Sequence, residues 1–262
     1  LRVAGSIDSG LLGSFKQLRH LEVTNTPMAG GTAGTEAYLA AVPLLQQLTY
    51  LYWYDHVSHA WAPSAEAYSS LTVNSRLVEL HISLASSPGA EVPAIFGHVF
   101  RAGLRQTNLR TLHLGGDCFS DSFILGQIVE CCPQLRDLRA DSWEMFVPAP
   151  TQQLDALREL SDLTSLALYA SKGTNSLFAA LAQLIQLEDL TLKFLFQVAP
   201  ENLQRLTTLT QLTRLTWVRV GKPARLYNTV GMNDPDPNQN HRLAVAQCLL
   251  PSITTTYETA NG

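Results

Sequence analysis

Charge is scarce in this chain of 262 residues, since Asp, Glu, Lys and Arg together make up 15% of it, against roughly a quarter in ordinary globular proteins. So little charge leaves apolar surface for a partner to cover. The net charge of -4 excludes a global attraction to nucleic acid or to an anionic membrane. Cysteine is sparse as well. Cys118, Cys131, Cys132 and Cys248 form no C-x-x-C pair, which excludes a disulfide scaffold and favours reduced thiols in an intracellular protein. No N-x-S/T glycosylation acceptor occurs, in agreement with that location. The longest uncharged run, from Ala37 to Tyr54, contains Pro43, Gln46 and Gln47, so it suits a helix feeding a strand and no membrane span is expected. Catalytic signatures are missing too: there is no G-x-S-x-G, Walker loop, G-x-G-x-x-G or H-E-x-x-H. Gly115-Gly116-Asp117 lacks the further glycine and the lysine of a phosphate cradle and is expected to be a tight turn. Neither an enzyme nor a cofactor is expected. The chain opens on Leu1 without a charged-then-apolar leader, which fits a processed product or a piece of something longer.

What is present is a repeat. In Leu109-Arg110-Thr111-Leu112-His113-Leu114, apolar residues stand at positions one, four and six. The frame returns at Leu163/Leu166/Leu168, Leu187/Leu190/Leu192, Leu18/Leu21/Val23, Leu48/Leu51/Trp53, Leu77/Leu80/Ile82, Leu135/Leu138/Ala140 and Leu212/Leu215/Trp217, eight copies in all. Successive first leucines are 30, 29, 32, 26, 28, 24 and 25 residues apart. Alternation at positions four and six predicts a short strand with one buried face. Three apolar side chains make no core alone, so each copy is stable only when neighbours stack on it. The roughly 20 residues between strands suffice for a crossover to a parallel neighbour.

This L-x-x-L-x-L pattern resembles the leucine-rich repeat family over about residues 18 to 220. The resemblance implies an α/β solenoid, a horseshoe with a parallel concave sheet and a helical or irregular convex side. The family's usual asparagine or cysteine three places after position six is replaced by Thr26, His56, Ala85, Asp117, Trp143, Ser171, Leu195 and Val220, which marks an irregular member. Cys132-Pro133-Gln134-Leu135-Arg136-Asp137-Leu138 is similar to the C-x-x-L-x-x-L lead-in of F-box leucine-rich proteins.

One domain of eight repeats is expected over 18–220, with residues 1–17 as a flank or the remnant of an earlier repeat and 221–262 as loop and cap. Along the chain, a loop is expected from Pro27 to Thr35 and a helix from there through Leu45. Short helices are expected after Pro63-Ser64, over Ala94 to Leu104, and from a Ser120/Asp121 cap to Pro133. Leu154/Leu157/Leu160, Leu177/Phe178/Leu181/Leu184 and Leu203/Leu206/Leu209 face inward in the later crossovers. Asn228 to Asn240 reads as an exposed loop, His241 to Leu250 as a capping helix, and Leu250-Pro251-Ser252-Ile253 as a degenerate ninth turn.

Positions three, five and seven face away from the leucines, so candidate functional residues are sought there. The second copy sets Tyr50, Tyr52 and Tyr54 in a row. Tyrosine gives large contact area at low entropy cost, so this stripe is either a binding hot spot or the seat of a covering loop. Position five reads Glu22, Tyr52, His81, His113, Arg139, Ala167, Thr191 and Thr216. His81 and His113 therefore fall about 4.8 Å apart on neighbouring strands. Two imidazoles with Glu79 or Asp117 nearby fall short of a complete metal site, and they are expected to meet solvent or a partner. Asp137, Arg139 and Asp141 read as a surface ion-pair row. The basic residues Lys193, Arg205, Arg214, Arg219, Lys222 and Arg225 have no interleaved aromatics and read as solubilising charge. Cys131 and Cys132 read as a buried structural thiol pair.

The expectation is thus a non-enzymatic scaffold that holds a protein partner on the concave face, with Tyr50, Tyr52, Tyr54, His81, His113 and Arg139 as the contact residues. The alternatives are a substrate-receptor subunit of a ubiquitin ligase and a structural subunit of a large assembly.

Overall fold

The computed structural model describes residues 1–4, 9–24, 31–57, 63–86, 92–115, 124–141, 156–170, 175–194, 200–220 and 254–260. The chain divides into two compact units, Leu1–Met145 and Phe146–Gly262. Both are α/β.

In the first unit, β1 (Arg2–Ala4), β2 (His20–Thr24), β3 (Tyr50–Val57), β4 (Glu79–Ser86), β5 (Thr111–Gly115) and β6 (Asp137–Asp141) pair in sequence order, every pair parallel. Between them run α1 (Ser9–Ser14), α2 (Gly31–Ala41), a 3-10 turn at Val42–Leu44, a 3-10 helix at Ala65–Thr72, α3 (Val92–Val99) and α4 (Ile124–Cys131). In the second unit β7 (Ser165–Ala170), β8 (Asp189–Phe194), β9 (Arg214–Val220) and β10 (Thr254–Ala260) are likewise parallel and in order. Its crossovers carry a 3-10 turn at Leu157–Glu159, α5 (Asn175–Leu181), and α6 (Pro200–Gln204) followed by a 3-10 turn at Arg205–Thr208.

The register is that of the repeat. Leu21, Leu51, Leu80, Leu112 and Leu138 face one another along the first unit, and Leu166, Leu190 and Leu215 along the second. All eight are at most 1% exposed. First-position leucines from Leu48 to Leu212 are buried as well, while Leu18 is half-buried. A recurrent turn swings that leucine inward. In every copy its N–H donates to the carbonyl three residues earlier, from Leu18 to Phe15 through to Leu212 to Leu209, at 2.9 to 3.4 Å.

A second recurrent bond sets the spacing. The position-two carbonyl accepts two N–H groups, those of positions two and three in the next copy: Arg19 from Thr49 and Tyr50, Thr49 from Val78 and Glu79, Val78 from Arg110 and Thr111, Arg110 from Arg136 and Asp137. Thr164 and Glu188 do the same in the second unit.

The crossovers differ in detail from the sequence reading. Helix α2 starts at Gly31 rather than Thr35, because burial of Tyr38 and Leu39 offsets the poor helix propensity of Gly31 and Gly34. Helix α3 ends at Val99, before Gly103, whose φ of 82° only glycine adopts freely. Ser64 caps its 3-10 helix, the Oγ accepting the Ala67 N–H at 3.3 Å. In α4, Ile124, Leu125, Ile128 and Val129 form the inward stripe, and Pro133 follows its end. Two strands lie outside the eight copies: β1, with Val3 buried, precedes them, and β10 continues the ladder past β9. The Ser120/Asp121 cap, the loop at 228–240, the helix at 241–250 and the turn at 250–253 lie outside the described residues. Among the described residues, no helix is long and apolar enough to cross a membrane.

Two buried polar side chains bond across successive copies. Asn74 replaces the apolar residue three places before a first leucine, and its Nδ2 donates to the Leu45 carbonyl at 2.5 Å while Oδ1 accepts the Arg76 N–H at 3.0 Å. Gln106, in the same place one copy on, donates through Nε2 to the Thr72 carbonyl, and the Thr72 hydroxyl donates to the Val99 carbonyl at 2.6 Å. These bonds stitch successive copies together where leucine would only pack.

Candidate functional site

Because period two puts odd positions on the face opposite the leucines, residues from six strands share one surface in the first unit. Register places Arg2, Glu22, Tyr52, His81, His113 and Arg139 side by side in one column. A second column holds His20, Tyr50, Glu79, Thr111 and Asp137.

The rings in these columns touch. His20 stacks on Tyr50 with centroids 3.9 Å apart, Tyr50 and Tyr52 tilt against His81 at 5.4 and 6.1 Å, and His81 meets His113 edge-on at 4.0 Å. Carboxylates bracket the rings. Glu22 Oε1 lies 3.0 Å from His20 Nε2, and its Oε2 lies 3.1 Å from Arg2 Nε. Glu79 Oε1 lies 2.6 Å from His81 Nε2, and since an ionised carboxylate only accepts, the proton sits on that nitrogen. Asp137 takes two bonds from Arg139, at 3.1 and 3.2 Å, and lies 3.6 Å from His113 Nε2. A continuous row of contacts therefore crosses β1 to β6.

The electrostatics follow from these contacts. Burial holds the His81 imidazole below its ordinary value, with His113 adding to the effect and Glu79 opposing it. Burial raises the Tyr50 phenol, helped by the negative charges of Glu79 and Glu22. For Asp137 burial pushes upward, but His113 and Arg139 together outweigh it and hold the carboxyl below its usual range. The hydrogen bond with His20 leads the effects that keep Glu22 low.

Of the residues singled out in the sequence, Tyr50, Tyr52, His81 and His113 come together through their rings, and Arg139 joins through Asp137. Tyr54 is half-buried beside Thr24 and Ser83 in register, and among the described residues it makes no ring contact. His20, Glu22 and Glu79 had not been named as contact residues. His20 and Glu79 stand at position three and Glu22 at position five, and the spacing i, i+2 that sets His20 beside Glu22 and Glu79 beside His81 on one face was the available signal. Among the described residues no three of His, Cys, Asp and Glu converge on a point where a metal ion could sit.

Other candidates resolve locally. Cys131 and Cys132 are both buried and unoxidised, and their mutual hydrogen bond together with burial pushes the Cys132 thiol far up. In the second unit Arg214 bonds to Asp189, its register partner on β8, and that bond raises its pKa. The basic run is thus partly neutralised by a residue distant in sequence. No family model matches the chain, and no curated protein matches it.

Proposed function

We propose that this chain is a leucine-rich repeat protein that performs no chemistry of its own and holds a protein partner against the strand face of its first unit. The observation that carries the reading is the row of touching rings at Tyr50, Tyr52, His81 and His113, fixed by the backbone ladder yet open enough to be covered. Side chains held in place before docking lose little entropy on binding, so a rigid aromatic row converts buried area into affinity efficiently. Tyrosine and arginine are the residue types that dominate such contacts. Tyr52 and Arg139 lie in the same column, with His81 and His113 between them.

Affinity capture with the full chain and with a Tyr50→Ala/Tyr52→Ala variant, read by mass spectrometry, tests this. At least one protein retained by the natural chain should be lost with the variant. Calorimetry on that protein should show Tyr52→Ala alone weakening binding by about 2 kcal/mol. Identical sets of captured proteins would remove the face from consideration.

A further inference from the structure

The charges on this face do not cancel evenly. Among the described residues of its two columns, the permanently charged side chains are Arg2, Glu22, Glu79, Asp137 and Arg139. Arg2 lies 3.1 Å from Glu22, and Arg139 lies 3.1 Å from Asp137. Among the described residues Glu79 forms no ion pair with a lysine or arginine. Its described bond is the one from His81, an imidazole that burial keeps neutral near pH 7, so the bond orients the carboxylate without discharging it. Glu79 is also 38% exposed along its side chain and stands in register between Tyr50 and Thr111, on the fourth strand of six.

An open carboxylate in the middle of an aromatic row narrows the chemistry that can land there. An apolar anchor would strip water from Glu79 and leave its charge unpaired, which is costly. An anionic anchor would meet Glu22, Glu79 and Asp137 together. A cation gains on both counts, because it pairs with the carboxylate and lies against the negative faces of the tyrosine rings. Resting on the function proposed above, we infer that the partner inserts an arginine or lysine side chain at Glu79, flanked by Tyr50 and Tyr52.

Acid should oppose this contact. The groups facing His81 are Tyr50 and Tyr52 from β3, Glu79 from its own strand, His113 from β5 and, at longer range, Arg139 from β6. Once His81 takes up a proton, its charge competes for the carboxylate that the incoming cation needs.

The test uses the immobilised full chain and a phage library of random short peptides. The selected peptides should share an arginine or lysine, and replacing it by citrulline or norleucine should weaken binding roughly tenfold or more. Glu79→Gln should cost a similar factor, Tyr52→Ala should also lose binding, and moving from about pH 7.5 to about pH 5.5 should weaken it severalfold. The citrulline comparison is made on the natural chain, so it does not depend on how the variants fold. Peptides without a cation, or peptides that lose affinity with Tyr52→Ala and not with Glu79→Gln, overturn the inference and leave the docking face standing. No selected peptide, or peptides indifferent to both substitutions, overturns the inference and the proposed function together.

Discussion

The imidazole of His20 lies flat on the ring of Tyr50, the two planes 1° from parallel, and these residues are also register partners on β2 and β3. The contact is therefore both a cross-strand pair and the start of the aromatic row. A double-mutant cycle with His20→Ala and Tyr50→Ala, followed by urea unfolding, should give a coupling of about 0.5–1 kcal/mol. Strictly additive effects would mean that the stack adds nothing beyond the separate burial of each ring.

His81 makes stability depend on pH in a definite direction. Its folded-state value lies below the ordinary 6.5, so on acidification the unfolded chain takes up the proton first. The stabilising contribution is complete above about pH 6.5 and is lost as pH falls through the folded value. Asp137, also depressed in the folded state, adds a loss of the same sign at lower pH, below about 3.9. Urea midpoints for the natural chain should fall between about pH 7.5 and 5.5, and His81→Gln should flatten that slope. Equal slopes for the two proteins would count against the assignment.

Gly115 is a steric requirement of β5. A Cβ there would stand 2.8 Å from Ser83 Oγ, 3.2 Å from Ser83 Cβ and 3.4 Å from its Cα. The last two atoms belong to the strand itself and cannot swing aside. Gly115→Ala should destabilise by about 1–3 kcal/mol in chemical denaturation. Adding Ser83→Gly removes the two closest atoms and should recover most of the loss.

Behind the sheet, the buried Tyr68 hydroxyl donates to Asp55 Oδ2 at 2.6 Å. Tyr68→Phe takes a donor from a carboxylate in a dry setting and should cost about 1.5–3 kcal/mol. Burial and the Asp55 charge raise the Tyr68 phenol well above its ordinary value of 10.0, so the folded chain keeps a proton that the unfolded chain gives up. The stability this provides is complete below about pH 10 and declines above it. Tyr68→Phe should therefore show a flatter alkaline limb than the natural chain, as read by thermal melts across that range.

The strand register was legible because it rests on a single periodicity. Leu112, Leu138 and Leu190 alternate with polar neighbours, and a slip of one residue would turn them all into water. Placing His81 beside His113 followed at once. What escaped depended on information that a leucine frame does not carry. Thr254–Ala260 has no leucine at all, and its pairing with β9 is made by the backbone. The bonds of Asn74 and Gln106 replace packing that the same position normally supplies. Arg214 read as solubilising charge because its partner Asp189 lies 25 residues away along the chain while standing in register with it. The pairing of His20 with Glu22 and of His81 with Glu79 depends on rotamers, which one strand's spacing leaves open.

The twin acceptance at each position-two carbonyl has a corollary for which residues the rim can carry. Both shared donors are main-chain groups, so arginine, valine and glutamate stand at position two as well as threonine, and the Thr49 and Thr213 hydroxyls add a third bond to the same carbonyls at 3.1 and 3.0 Å. Proline alone is barred there and at position three, for want of an N–H. Variation along that edge can thus alter the chemistry of the strand ends while the main-chain spacing of the copies stays the same.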